Sequence, residues 1–175
     1  MSVKAAHSYT DELTGLANRR GFFEQAQRVF AAVAERGGEC TTVVIDLDRL
    51  GYVNETYGHH AGSELIREAA AALEALSREG DVIGRLGGDE LGLLRPSGTH
   101  PSEALRDQIS TVISRASRSD RPFGLAISVG VAVANADEVD NLDVLLWQAD
   151  QAMYEHKRAG GGRVGPPHVR RGRRR

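Results

Sequence analysis

Three segments of the chain place apolar residues at the spacing of a helix. They cover about residues 18–35, 63–76 and 142–156. Apolar side chains that recur every three or four positions line one side of a helix, and that side packs against a core. The pattern therefore predicts a helix in each segment, and a fourth helix is predicted over about 101–116.

Two β-branched runs, TTVVIDLD (41–48) and FGLAISVGVAVA (123–134), predict buried strands. Between them, RLGGDELGLL (85–94) has two short apolar stretches around Gly87-Gly88. This dipeptide predicts a hairpin, because type I′ turns need a positive φ that glycine adopts readily. The order helix, strand, helix, hairpin, helix, strand, helix predicts an α+β fold with a central antiparallel or mixed sheet flanked by helices.

A chain of 175 residues, 41% hydrophobic and 26% charged, fits one globular domain, expected over residues 1–165. No apolar run reaches the roughly 20 residues of a membrane helix, and the N-terminus lacks the apolar stretch of a secretory signal. The single cysteine excludes an internal disulfide and fits a reducing compartment. These features predict a cytoplasmic protein without a membrane segment.

The formal net charge of −2 is unevenly distributed, because five arginines lie in the last six residues. The segment 166–175 is therefore a basic tail on an acidic body. A basic segment can contact nucleic acid or another anionic surface. A disordered, solvated end explains the same composition and is the favoured interpretation, so nucleic acid is not an expected partner.

Four acidic residues stand at the ends of predicted strands. Asp46 and Asp48 close the first strand and share one of its faces, whereas Asp89 and Glu90 follow the hairpin glycines. If the strand neighbours the hairpin, Asp46 and Asp89 lie close together, and such carboxylates suit Mg²⁺ with substrate phosphates. Alternatively, Asp48 caps a short following helix while Asp89 and Glu90 only solvate the turn.

These acidic residues also carry a resemblance to the GGDEF domain family of diguanylate cyclases. The stretch RLGGDELGLL is similar to the motif that names the family, with Leu91 where the family has phenylalanine. The resemblance runs in order from about residue 9 to residue 164. It implies a palm-like, ferredoxin-related sheet, as in nucleotide cyclases. The other similar stretches are DELTGLANRRGFF (11–23), VVIDLDRLGYVNETYGHHAG (43–62), AISVGVAVA (126–134) and ADQAMYEHKRAGGGRV (149–164).

The resemblance implies a reaction that makes a bacterial second messenger. In the family, each subunit of a homodimer holds one GTP, and the 3′-hydroxyl of one nucleotide attacks the α-phosphate of the other. Pyrophosphate leaves, and a repeat of the step closes cyclic di-GMP. The family requires Mg²⁺ or Mn²⁺, and an upstream sensor or partner protein is expected to control it.

The resemblance also assigns roles to particular residues. Cyclic di-GMP is expected both as product and as inhibitor. The implied metal ligands are Asp46, the Leu47 carbonyl and Asp89; the catalytic residues are Asp89 and Glu90; the substrate-binding residues are Asn54, Ser63, Gly87, Gly88 and Lys157; the product-inhibition residues are Arg78 and Asp81.

The sequence departs from the family at three contacts with the nucleotide. Gly51 and Gly161 replace a lysine and an arginine that contact phosphate, and Ser63 replaces an aspartate that reads guanine. A serine hydroxyl tolerates adenine as well, so ATP is a second possible substrate and a mixed GMP–AMP product is possible. Ser63 can also be a simple helix cap.

The lost phosphate contacts leave a second interpretation open. A weak or inactive domain that binds GTP or cyclic di-GMP, and signals through a partner, fits these departures. Retention of Asp46, Asp89 and Glu90 favours the enzyme, although with reduced activity.

Overall fold

Five helices and four strands form in the part of the chain that the structure describes. This computed structural model covers residues 9–96, 102–118, 120–135 and 141–159. The predictions for Gly161 and for the tail 166–175 lie outside these residues. The elements are α1 (Arg19–Ala34), β1 (Glu39–Leu47), α2 (Leu50–Tyr57), α3 (His59–Leu76), β2 (Val82–Arg85), β3 (Glu90–Pro96), α4 (Ser102–Ala116), β4 (Ile127–Asn135) and α5 (Leu142–Arg158).

The strands form one sheet in the order β2-β3-β1-β4, and every neighbouring pair is antiparallel. Helices α3 and α4 pack against one face of this sheet, where Ile45 and Leu91 are fully buried. Helices α1 and α5 pack against the other face, where Val44 and Leu94 are buried. The alternation of side chains along each strand thus supplies two cores, and the predicted α+β class is confirmed.

The ends of α1 lie within one residue of the predicted range 18–35, and local signals mark both of them. The side chain of Asn18 accepts a hydrogen bond from the Gly21 amide at the start of the helix. The chain turns at Gly37, which has a φ of 65°. An asparagine cap and a left-handed glycine are the usual marks of the two ends of a helix.

The structure contains a short helix after β1 that the apolar spacing does not predict, although the capping alternative for Asp48 assumed one. Helix α2 has eight residues, of which only Leu50 and Val53 are buried, so it shows too few apolar positions for a helical repeat. Helix α3 also begins earlier than predicted, at His59, and β4 begins later, at Ile127.

The type I′ turn predicted for Gly87-Gly88 is wrong. Neither glycine has a positive φ. Strand β2 ends at Arg85 and β3 begins at Glu90, so four residues connect them. The amides of Leu86 and Gly87 both donate to the Glu90 carbonyl, at 2.8 and 3.3 Å. A four-residue connection does not need the left-handed conformations that a two-residue turn requires.

Gly130 on β4 allows α5 to approach the sheet closely. A Cβ at this position would clash with the Ala149 carbonyl oxygen and with the Met153 backbone nitrogen. The last turn of α5, which carries Lys157, is thereby brought to the end of β1. Within the described ranges, no helix combines the length and the apolar character needed to cross a membrane.

Candidate active site

The predicted acidic residues meet where β1 and β3 run side by side. Asp46 is directly opposite Glu90 in the antiparallel register, and the Leu47 amide donates to the Asp89 carbonyl at 2.8 Å. Residues opposite each other in such a pair project from the same face of the sheet. Asp46 and Glu90 therefore share the face that α1 and α5 cover, and Asp89 stands next to them in the turn.

Asp46 and Asp48 face the same way, as their spacing predicts, and the ammonium of Lys157 contacts both carboxylates. Lys157 Nζ lies 2.7 Å from Asp46 Oδ1 and 3.4 Å from Asp48 Oδ1. Ser128 Oγ donates to the Asp48 carboxylate at 2.9 Å. Burial raises the pKa of Asp48, and the nearby Asp46 charge raises it further, whereas Ser128 and Lys157 partly offset both effects.

The alternative role of Asp48 as a helix cap is wrong. The N-cap of α2 is Arg49, which has a φ of 63°, and no side chain caps this helix. The Asp48 carboxylate instead accepts from Ser128 on β4. Its hydrogen bonds therefore join β4 to the carboxylate group at the end of β1.

Asp89 and Glu90 are adjacent in sequence but line different pockets. Asp89 lines a pocket of about 400 Å³ against α2 and α3. Glu90 lines a pocket of about 220 Å³ between α1 and α5, together with Arg19 and Asp150. Burial raises the pKa of Glu90, the charges of Asp150, Asp46 and Asp89 add to the rise, and Arg19 opposes it. The alternative interpretation, in which Glu90 only solvates the turn, does not account for a half-buried carboxylate that lines a pocket among other charged groups.

The larger pocket contains the residues that the resemblance assigns to the base. Asn54 and Ser63 line it, and so do Gly88 and Asp89 from the turn. The Asn54 Oδ1 atom is buried and has no hydrogen-bond partner among the described residues. An unpaired buried acceptor costs roughly 1–3 kcal/mol, so a hydrogen bond made when the Asn54 side chain turns away from Gly62 toward the pocket would be favourable.

Ser63 is not a helix cap. Gly58 is the N-cap of α3, and Ser63 is already in the second turn of that helix. Helix capping therefore does not explain a serine at this position, whereas the side chain does line the larger pocket. Gly51 lines the same pocket, and a Cβ added there would contact nothing within 4 Å.

Arg85 is a further site residue, and sequence reasoning missed it. Its Nε donates to the Gly87 carbonyl at 3.1 Å and its Nη2 to the Gly88 carbonyl at 2.8 Å. Its Nη1 donates to Asp11 Oδ2 at 3.2 Å. An arginine two residues before the glycine pair was the available signal, but its partner Asp11 is 74 positions away.

Arg78 and Asp81 lie at the other end of the hairpin. Asp81 immediately precedes β2, whereas Gly87 and Gly88 follow that strand. The Asp81 side chain is 1% exposed and binds Arg95 in a bidentate pair, with its shortest contact at 2.6 Å. Arg78 is exposed, and its amide donates to Asp81 Oδ2 at 2.9 Å. The structure therefore separates the predicted product-inhibition residues from the larger pocket.

The donor atoms at the end of β1 fit a hard divalent cation that shares its coordination with phosphate. The donors are the carboxylates of Asp46 and Asp89, which stand at neighbouring strand ends where the Leu47 amide donates to the Asp89 carbonyl. In the described residues, no three His, Cys, Asp or Glu side chains are grouped so as to hold a metal ion alone. The carboxylates of Asp46 and Asp89 match the one or two that Mg²⁺ commonly uses together with substrate phosphates.

Comparison with known proteins agrees with this arrangement. The family model described as "Diguanylate cyclase, GGDEF domain" matches residues 8–163. Diguanylate cyclase DgcM of Escherichia coli K12 is 34% identical over 164 residues, which cover 91% of this chain and 38% of DgcM. Response regulator PleD of Caulobacter vibrioides is 31% identical over 160 residues, which cover 89% of this chain and 35% of PleD. The chain thus spans less than half the length of these curated relatives.

Solved structures show the same fold. The GGDEF domain of DgcB from Caulobacter crescentus, in complex with c-di-GMP, superimposes with a TM-score of 0.78 and 26% identity. The match covers 93% of this chain and 94% of the DgcB chain. Diguanylate cyclase SiaD, in complex with its activator SiaC from Pseudomonas aeruginosa, superimposes with a TM-score of 0.76 and 29% identity. The match covers 87% of this chain and 59% of the SiaD chain. The chain belongs to the diguanylate cyclase GGDEF domain family.

Proposed function

We propose that this domain is a diguanylate cyclase, which condenses two GTP molecules into cyclic di-GMP and releases pyrophosphate. The main support is that Asp46 pairs with Glu90 across two strands, next to Asp89, and that Asp89 lines a pocket together with Asn54 and Ser63. Phosphoryl transfer depends mainly on holding the reacting groups in line and neutralising their charge. Carboxylates at the edge of a nucleotide pocket suit both tasks.

Asp46, Asp89 and the Leu47 carbonyl would hold Mg²⁺ or Mn²⁺, which neutralises phosphate charge when bound. Asn54 and Ser63 bind the base, and the backbone of Gly87 and Gly88 lies along the nucleotide. Lys157 binds a phosphate. Glu90 takes the proton of the attacking 3′-hydroxyl, a role that its raised pKa suits.

The proposal requires a homodimer, because the reaction joins two nucleotides and the proposed site of each chain holds one. SiaD has a protein activator, SiaC, and we propose that an upstream sensor or partner likewise controls this domain. GTP is a cytoplasmic nucleotide, so the proposed reaction places the domain in the cytoplasm.

Base selection depends on Ser63. A hydroxyl donates or accepts one hydrogen bond, whereas an aspartate in its place accepts two bonds from guanine. One such contact discriminates between bases by about 1–3 kcal/mol, so ATP is a plausible second substrate and a mixed GMP–AMP product can form.

The test is mass spectrometry of products after incubation with Mg²⁺ and GTP, ATP or both. Cyclic di-GMP as the only cyclic product would support the main proposal. A mixed product that Ser63→Asp suppresses would identify Ser63 as the specificity residue. Asp89→Asn is the matched control, and product that survives this change would exclude the proposed site.

A second candidate is an inactive nucleotide-binding domain, which the absence of a side chain at Gly51 in the pocket wall favours. Nucleotide binding without cyclic product, also in a forced dimer, would support it.

In either case we propose that cyclic di-GMP binds at Arg78. Asp81 takes part only when its Arg95 pair opens, because its carboxylate is buried.

A further inference from the structure

The ammonium of Lys157 occupies one oxygen of the Asp46 carboxylate, a proposed metal ligand. Its Nζ is 2.7 Å from Asp46 Oδ1, a charged hydrogen bond of ideal length. The Asp46 side chain is 19% exposed and that of Lys157 is 47% exposed. The contact is therefore at the surface, where a lysine stem can swing without disturbing the core.

The groups around this contact are mostly acidic. The charge of Asp46 acts on Asp48, which follows β1, and on Glu90 of β3. Glu90 is also affected by the acids Asp89 and Asp150 and by one base, Arg19. Lys157 is the one lysine or arginine within 4.0 Å of Asp46 in the described residues. It therefore carries most of the local neutralisation of that carboxylate.

Asp48 gives the ammonium a second contact that differs in character. Asp48 is 12% exposed and accepts from Ser128, so its position is fixed by β4. Lys157 reaches it at 3.4 Å. The ammonium thus bridges one carboxylate that is proposed to bind metal and one that is not.

We propose that Lys157 competes with the divalent cation for Asp46. This inference rests on the proposed function. In the nucleotide-free protein the ammonium holds Asp46 and Asp48, and it transfers to a phosphate when metal and nucleotide enter together. Metal alone then binds weakly, and metal and nucleotide strengthen each other's binding, since coupling between two ligands is reciprocal.

The test measures Mn²⁺ binding to the nucleotide-free protein by electron paramagnetic resonance. Lys157→Met removes the competing charge, so we expect about tenfold tighter Mn²⁺ binding, the equivalent of about 1.4 kcal/mol. Loss of a merely structural lysine would leave the affinity unchanged or weaken it. Lys157→Gln should behave as Lys157→Met does, and thermal unfolding checks that both variants fold.

Two controls locate the effect. Arg158→Met removes the neighbouring positive charge, which lies over the Tyr154 ring at 5.9 Å, and should leave Mn²⁺ affinity unchanged. Asp46→Asn added to Lys157→Met should abolish the gain, because the gained affinity must reside at Asp46.

Several results would overturn the proposal: equal Mn²⁺ affinity in wild type and both Lys157 variants, an equal gain in Arg158→Met, or a gain that survives Asp46→Asn. Its failure is distinguishable from failure of the proposed function. A Lys157-dependent Mn²⁺ site in a protein that makes no cyclic product would support the competition and reject the cyclase.

Discussion

Arg85 fixes the turn that carries the acidic motif by holding it to Asp11. One guanidinium bonds the Gly87 carbonyl, the Gly88 carbonyl and the Asp11 carboxylate, which precedes α1. The Asp11 side chain is in turn held by the amide and the hydroxyl of Thr14. The position of Asp89 thus depends on contacts with a segment more than 70 residues earlier in the chain.

Arg85→Lys should lower kcat by on the order of 100-fold while largely preserving the fold, since small displacements of reacting groups have effects of this size. A lysine keeps the charge but cannot donate to three acceptors in one plane. Steady-state kinetics and thermal unfolding measure the two effects. Unchanged kcat in Arg85→Lys would contradict a positioning role for this side chain.

Asp11 should make the domain sensitive to acid. Burial alone raises its pKa, but the Thr14 hydrogen bonds and the Arg85 charge more than compensate, so the pKa lies below its ordinary value. Its contribution to stability is therefore complete above the unfolded pKa of about 3.9 and disappears as the pH falls through the lower folded value. Urea unfolding of wild type and Asp11→Asn should differ at pH 6 and converge in stronger acid.

The pair of Asp81 and Arg95 should be a major contributor to stability. Both side chains are almost fully buried, at 1% and 5% exposure, and Arg95 also donates to the Leu76 carbonyl. Removing one partner of a buried ion pair costs about 3–5 kcal/mol, because the other charge remains buried. Urea unfolding of Asp81→Asn and Arg95→Met should show losses in this range.

The double variant of these two residues is the decisive control. Its loss should be clearly smaller than the two single losses together, since no charge is left unpaired. Arg78→Ala, at an exposed position, should weaken cyclic di-GMP binding without this loss of stability. Additive losses in the double variant would show that the two residues act independently.

Local signals predicted much of this fold, whereas contacts between distant segments were not predictable. The Asn18 cap and the turn at Gly37 set α1 within one residue of its ends. Helix α2 has no capping side chain and too few buried positions, so no local pattern marks it. The pairing of Asp81 with Arg95, 14 residues later, arises from strand register and appears only in three dimensions.

The same distinction applies to the site. Strand periodicity placed Asp46 and Asp48 on one face, and the structure agrees. Periodicity did not reveal that Lys157 bridges them or that Asp89 and Glu90 line different pockets. The first feature depends on how closely α5 packs against β4, which Gly130 permits, and the second on helices that come from distant parts of the chain.

Gly51→Lys should restore a phosphate contact and improve the enzyme. The position lines the proposed nucleotide pocket, and a Cβ there meets no atom within 4 Å, so a side chain can start from it without a clash. A charged hydrogen bond contributes about 1.5–3 kcal/mol, which corresponds to roughly 10- to 100-fold in KM for GTP or in kcat/KM. Gly51→Ala gains helix propensity without charge and is the matched control. An improvement shared by both variants would show that the charge has no role.

Glu90 should destabilise the fold when it is ionised. Burial and the charge of Asp150 raise its pKa, with smaller contributions from Asp46 and Asp89. For an acid whose folded pKa is raised, the penalty is absent below the unfolded pKa of about 4.3 and grows as the pH rises through the folded value. Glu90→Gln should therefore unfold at a higher temperature than wild type at pH 7.5, and the two should converge near pH 4.

The raised pKa of Glu90 should also affect the pH dependence of kcat. If Glu90 accepts the proton of the 3′-hydroxyl, activity falls on the acid side as Glu90 becomes protonated. Asp150→Asn removes a negative neighbour, lowers the pKa of Glu90 and should move this acid limb of the kcat profile to lower pH. Asp143→Asn removes another carboxylate of the same pocket that is not among the principal charges acting on Glu90, and should move the limb less. An acid limb that stays in place in Asp150→Asn would exclude Glu90 as the titrating base.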